Sequence, residues 1–217
     1  MQQTLTSDEQ TPARFRLPLL QPVALALALA LLAALAMGVL WWRARPPAEG
    51  SAEVTFSRDM TAHHTQAVEM ALNLRDRTQD ERLRSLLLDM VLTQQGQIGI
   101  MQGWLDAWGR PFSGPRPPMD GMGQMMGMAA PEQVAALRTL PVEQAEIQFL
   151  QLMIRHHQGA LLMADDLLKQ SSRPEVVRLA EAIRNGQQGE IDYMQELLAQ
   201  RGGTPPEPLK PMEHMQH

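Results

Sequence analysis

Four of the chain's 6 histidines form two pairs, His63-His64 and His156-His157, and the other two, His214 and His217, fall within the last four residues. Sixteen methionines accompany them, and there is no cysteine. Imidazole and thioether nitrogen and sulfur are metal donors, so the spacing of these residues is the first thing to test. On an α-helix, positions i, i+3, i+4, i+7 and i+10 share a face. Met60, His63, His64, Ala67 and Met70 therefore form one stripe, and Met153, His156, His157, Ala160 and Met163 repeat it. A second stripe, Gln94, Gln97 and Met101, is mirrored by Gln187, Glu190 and Met194. Packed with pseudo-two-fold symmetry, these stripes would bring imidazoles, thioethers and one carboxylate together between helices, where bundles build metal sites.

Thioethers select soft ions, above all Cu(I), and imidazole also accepts Cu(II), so a Met and His inventory without Cys favours copper over zinc or calcium. Two further segments fit the same chemistry. Met119, Met122, Met125, Met126 and Met128 crowd a Gly-rich stretch with little need of core side chains, and the tail mixes Met212, His214, Met215 and His217. The candidate metal ligands are thus His63, His64, His156, His157, Met60, Met153, Met101, Met194, Glu190, Met122, Met125, Met126, His214 and His217. Imidazoles with an ordinary pKa of about 6.5 would release Cu(II) near pH 5, while thioethers, which take up no proton, would keep Cu(I).

Plainer roles compete at each position. A helical methionine stripe fits core packing better than ligation, residue by residue. Gln94 and Gln187 fit network amides as well as ligands, Glu190 fits a solvated charge, and the Met-rich stretch fits a flexible linker. The His pairs are harder to place as packing, because adjacent buried imidazoles need polar partners; their competing role is a polar network between helices.

The elements that must hold these residues follow from periodicity. The stretch between Arg16 and Arg43 carries no charge, and Val23 to Trp42 is apolar throughout, which spans about 30 Å, the thickness of a bilayer core. Trp41, Trp42, Arg43 and Arg45 resemble an interfacial belt and favour a retained anchor. The alternative is a cleaved signal peptide, with Arg14 and Arg16 in front and Ala34-Leu35-Ala36 as cleavage site, although the apolar run continues past it. Either places the remainder outside the cytoplasm, and the anchor makes a single-pass membrane protein whose C-terminal domain is periplasmic or extracellular.

Beyond a linker, the sequence repeats at an offset of 156 − 63 = 93. The same offset pairs Phe56 with Phe149, Met60 with Met153, Ala67 with Ala160, Met70 with Met163, Gln94 with Gln187, Ile98 with Ile191 and Met101 with Met194. Each copy shows apolar residues three and four apart in two runs, so two helical hairpins are expected. Asp80-Glu81 starts the second helix and Gly109 with Pro111 stops it; Pro174 starts the last helix and Gly202-Gly203 ends it. The fold class is all-α, a four-helix bundle of two repeated hairpins behind a transmembrane helix.

The organisation reads as a cytoplasmic tail at 1–16, the anchor or signal at 17–42 and a linker at 43–54. The duplicated domain follows at 55–202, with an irregular Met-rich loop at 110–130 and a short helix over Pro131 to Leu140, and a flexible tail occupies 203–217. Lys and Arg number 19 against 24 Asp and Glu, a net charge of −5 without any basic run, which argues against a nucleic-acid partner. A membrane contact through 17–42, a metal ion and a homo-oligomer remain as partners. No Glu-x-x-His, phosphate loop or His-Glu-x-x-His pattern occurs, so no catalytic residue is assigned. The competing function is an envelope structural or interaction protein whose His pairs form a core network, with a metal-dependent oxidase third.

The doubled pattern Phe56-x-x-x-Met60-x-x-His63-His64-x-x-Ala67-x-x-Met70-Ala71, with its copy from Phe149 to Ala164 and the following Gln-x-x-x-Ile-x-x-Met, resembles the ferritin-like family catalogued as domain of unknown function number 305. The resemblance covers about Thr55 to Gln200. It implies a four-helix bundle in bacterial envelope or secreted proteins, some of which bind copper and are tied to copper resistance. It carries over His63, His64, His156, His157, Met60 and Met153 as candidate ligands. The family's Gln-x-x-Glu-Ile is retained in Gln187-x-x-Glu190-Ile191, whereas Gln94-x-x-Gln97-Ile98 has lost the acid. The resemblance therefore implies a weaker or neutral first half-site.

Overall fold

The computed structural model describes residues 20–210, and it is all-α among them. The chain divides after Arg45 into two units. The first holds α1 (Leu20–Ala44). Its stretch Pro22–Trp41 is long and apolar enough to cross a membrane, and none of it is buried within the protein. Leucine and alanine cover it on every side, the composition of a helix whose solvent is lipid rather than a one-sided core. Near its end the Arg45 guanidinium lies 3.8 Å from the Trp41 ring centroid. A signal sequence has the same length and composition.

The second unit contains α2 (Ala52–Arg75), α3 (Glu81–Ala107), α4 (Pro131–Ala136), α5 (Val142–Gln170) and α6 (Pro174–Gln200). Local chemistry fixes the ends. The Ser51 hydroxyl accepts from Val54 N–H at 3.4 Å, so α2 opens at Ala52, three residues ahead of the expected start of the duplicated domain at 55. At α3, Asp80 Oδ1 accepts from the N–H groups of Arg82 and Leu83 at 2.9 and 3.2 Å. Gly109 at φ 65° and Gly202 at φ 70° turn the chain out of α3 and α6 in the left-handed region that glycine enters without strain. Pro174 occupies the first turn of α6, as its sequence position predicts.

Helices α2 and α3 pair as one hairpin, α5 and α6 as another, and α2 packs on α5 to join them. Two buried clusters fill the contact. One gathers Leu74, Leu83, Leu87, Phe149, Met153, Met194 and Leu198; the other gathers Phe56, Met60, Met101, Ala160, Val176 and Ile183. A polar clamp ties the hairpins at one end. Arg201 donates to Asp80 Oδ2 and Glu146 Oε2, each at 2.8 Å, and Thr78 donates to Glu146 Oε1 at 2.5 Å.

Three segments differ from expectation. The stretch 110–130 is irregular but packed: Asp59 Oδ1 accepts from Met119 N–H at 2.9 Å, and the Gln66 amide both accepts from Ala129 N–H and donates to its carbonyl. Met119 and Met126 are core residues. The short helix ends at Ala136 rather than Leu140. The start of the tail lies along α5, where Gln151 donates to Thr204 O and Gln158 Oε1 accepts from Leu209 N–H. Backbone groups with side-chain partners on a helix are fixed there, so flexibility is not the rule for 203–210.

Candidate metal centre

The two hairpins set their polar residues in matching rungs. His64 Nε2 meets Gln97 Oε1 at 2.7 Å, and His157 Nε2 meets Glu190 Oε2 at 2.6 Å. One antiparallel turn to either side, the same register levels Met60 with Met101 and Ala67 with Gln94 in the first hairpin. In the second it levels Met153 with Met194 and Ala160 with Gln187. The small Ala67 and Ala160 stand opposite the long amides, and these Met–Met and Ala–Gln rungs are buried, whereas Gln97 and Glu190 are half-buried.

Where α2 meets α5, the His63 and His156 rings stack with centroids 3.6 Å apart and planes 30° apart. Each also neighbours its own pair mate, at 6.4 Å for His63 and His64 and 6.4 Å for His156 and His157. The four imidazoles thus form one fully buried row, with its pseudo-two-fold axis between the central rings. The Met-rich loop crosses this row, and the Met126 carbonyl accepts from His63 Nε2 at 2.9 Å.

These partners settle the tautomers. A carboxylate and a carbonyl only accept, so Nε2 carries the proton in His157 and His63, and the Gln97 carbonyl oxygen asks the same of His64. In each neutral ring the lone pair is then on Nδ1. Among the described residues, Nδ1 of His63, His64 and His157 has no hydrogen-bond partner, nor has either nitrogen of His156. The side-chain nitrogen and oxygen of Gln94 and of Gln187 are likewise unpartnered. Buried polar atoms are nearly always paired, and each left alone costs about 1–3 kcal/mol. An imidazole whose one nitrogen is held by a carboxylate or carbonyl and whose other is bare is the arrangement of a metal ligand with its orienting partner.

Burial keeps three of the rings, His63, His64 and His156, neutral. It pushes His63 down to about 4, against the Met126 hydrogen bond that raises it, with His157 adding a further downward push. Burial and the neighbouring His63 push His64 down to about 3. Burial, with His63, His157 and His64 around it, holds His156 well below its ordinary value. At neutral pH, protons do not compete for the nitrogens of these three rings.

The other sequence candidates scatter. Among the described residues, no three His, Asp or Glu side chains are gathered around one point, so the row is not a preformed cage. Met60, Met101, Met153 and Met194 are fully buried and packed in the core clusters beside it. Met122 is half-buried, Met125 exposed and Met126 buried. His214 and His217 lie outside the described residues.

Sequence reasoning missed what seats the loop. Gly159 stands at the repeat position of Gln66, since 159 − 66 = 93. Gln66 grips the loop by its amide, whereas Gly159 lets it approach: a Cβ there would sit 1.7 Å from the Met126 carbonyl oxygen. A Cβ on Gly127 would sit 2.1 Å from Arg155 O. The substitution of Gly for Gln inside an otherwise matching repeat was the available signal.

Residues 53–198 match the family model described as Domain of unknown function (DUF305). A Streptomyces coelicolor DUF305 structure, described as that of a secreted protein, is 43% identical, with TM-score 0.69, covering 74% of this chain and 99% of that one. A DUF305 fragment from Deinococcus radiodurans is 45% identical, with TM-score 0.64, covering 71% and 99%. CopM in its Cu(II)-bound form is 28% identical, with TM-score 0.60, covering 68% and 96%. CopM has also been solved with Cu(I), at 27% identity. No curated protein matches the sequence.

Proposed function

The chain belongs to the DUF305 family, and on that premise we propose that it is an extracytoplasmic copper-binding protein, acting in metal tolerance, storage or delivery from a ferritin-like four-helix bundle. The observation that carries this reading is the buried row of four imidazoles whose Nδ1 atoms have no partner. His63, His64, His156 and His157 are its ligands, with Met60, Met101, Met153 and Met194 packed one turn away and Glu190 orienting His157. Imidazole nitrogen suits Cu(II) and the thioethers suit Cu(I), so one bundle can serve both oxidation states. The copper-bound forms of CopM, a relative at 28% identity, support the same choice of metal. Helix α1 would hold the bundle at the membrane, with the second unit outside the cytoplasm.

The hydrogen bonds on three Nε2 atoms and the stacked central rings favour a second reading, a polar network that holds the hairpins together for an envelope interaction. The two separate in one experiment. Cu(II) is titrated into the full chain in detergent, with paramagnetic resonance reporting nitrogen ligation, for the native protein and for the His63→Ala, His64→Ala, His156→Ala, His157→Ala combination. Loss of the nitrogen-ligated signal with retained helical circular dichroism supports copper binding. An unchanged signal with a lower melting temperature leaves the network.

A further inference from the structure

An open cleft of about 290 Å³ lies beside the imidazole row, between the start of α2, the second half of α5 and the Met-rich loop. Met119, Met122 and Met126 line it from the loop, Met163 from α5, and Asp59 and Asp166 bring carboxylates from α2 and α5. The thioethers of the core are sealed, but Met122 and Met163 are half-buried and open to solvent. Asp59 already holds the loop over the cleft through Met119 N–H at 2.9 Å. Arg116 also lines it, so the ionisable lining residues carry a formal charge of one negative: two carboxylates against one guanidinium.

The repeat shows that this opening is particular to one side. Met163 corresponds to Met70, which is fully buried in a cluster that includes Val134 and Leu137, in and beside α4. Asp166 corresponds to Asn73, which donates to Val134 O at 3.2 Å and accepts from Arg138 Nε at 2.7 Å. Asp59 corresponds to Leu152. The pseudo-symmetric position is therefore plugged by α4 and its flanking residues, while the cleft keeps Met122 and Met163 half-exposed and adds two acids.

We infer that this cleft is a second metal site, distinct from the imidazole row, which takes a soft monovalent cation of the Cu(I) class through Met119, Met122, Met126 and Met163. Four polarizable sulfurs select softness, and the single net negative charge balances one positive charge better than two. Met126 joins the two sites, since it lines the cleft and its carbonyl accepts from His63. The identity of the ion rests on the copper reading above; the cleft itself does not depend on the imidazoles.

The test uses Ag(I), a redox-silent monovalent soft ion, dialysed at pH 7 against the full chain in detergent, with metal per chain read by elemental analysis. Methyl-labelled methionine resonances report which sulfurs respond. Met122→Leu with Met163→Leu conserves volume at half-buried positions, so the helical dichroism should hold. This pair should lose one Ag(I) or weaken it at least about tenfold, leaving Cu(II) binding at the imidazoles unchanged. Met125→Leu with Met128→Leu, which lie outside the cleft lining, should keep the ion. If the first pair binds Ag(I) like the native chain, or the second loses it equally, the cleft is overturned while Cu(II) binding still stands. Failure of the native chain to bind either ion overturns both proposals.

Discussion

A buried imidazole with one nitrogen donating and the other bare carries its functional state in its pKa. His63 and His64 sit at about 4 and about 3. Unfolded imidazoles take protons as pH falls through about 6.5, but the folded ones stay neutral until pH 4 or lower, so acid favours unfolding. Apo-protein stability should be flat above pH 7. It should fall from pH 6.5 towards 4, by up to about 1.4 kcal/mol per pH unit for each such histidine. Urea midpoints measured across that range check it; a flat profile would mean the rings titrate as if exposed. The same shifts change the expectation for the metal: Cu(II) should survive dialysis at pH 5, where ordinary imidazoles would have released it. A second comparison concerns the unequal half-sites. Glu190 accepts from His157 where Gln97 accepts from His64, and a carboxylate makes its imidazole partner a stronger donor. Glu190→Gln should weaken Cu(II) about tenfold and Gln97→Glu should strengthen it, both read by chelator competition. Equal affinities for the two variants would reduce Glu190 to a structural acceptor.

At the scale of elements, the row depends on a loop lying on a helix. Gly159 on α5 and Gln66 on α2 occupy equivalent repeat positions, and the loop needs a side chain at one and none at the other. Gly159→Ala places a methyl into the Met126 carbonyl, so either the loop lifts or α5 shifts. The expected loss is about 1–3 kcal/mol, the usual cost of overpacking, with faster amide exchange at residues 119–129. Because Met126 O would leave His63 Nε2, the variant should also alter Cu(II) affinity. Gln66→Ala removes the grip without a clash, and should speed exchange at Ala129 with a smaller loss of stability. Equal stability of Gly159→Ala and the native protein would show that the loop does not rest on α5.

For the whole molecule, α1 and the bundle are separate compact units. Val23, Leu27, Leu31 and Leu35 are exposed along α1, a face that water does not favour and lipid does. The basic residues at its two ends are balanced, Arg14 and Arg16 against Arg43 and Arg45, so the positive-inside rule gives no preference of orientation. With the bundle outside the cytoplasm, protease added to intact cells should digest residues beyond α6. Protection of that segment until the inner membrane is lysed would invert the orientation, and with it the exposure of the bundle to environmental copper.

The sequence by itself determined what local geometry dictates. Its 3.6-residue periodicity puts Met60, His63, His64, Ala67 and Met70 on one buried face, Asp80 and Gly109 bound α3, and the repeat makes the two His pairs equivalent, each at 6.4 Å. The apolar run that became α1 was equally plain, because a membrane-length helix needs no partner to be recognised. Tertiary structure alone decided that His63 stacks on His156, for that contact belongs to the meeting of α2 with α5 and to neither repeat. It alone moved Met119 and Met126 from a Gly-rich stretch into the core and drew residues 204–209 along α5, since composition records a segment's freedom but not the surface waiting for it. It also decided which nitrogens stay bare. A ring's polarity is written in the residue, but its hydrogen-bond partner arrives from 33 or 63 positions away, and only packing brings it there.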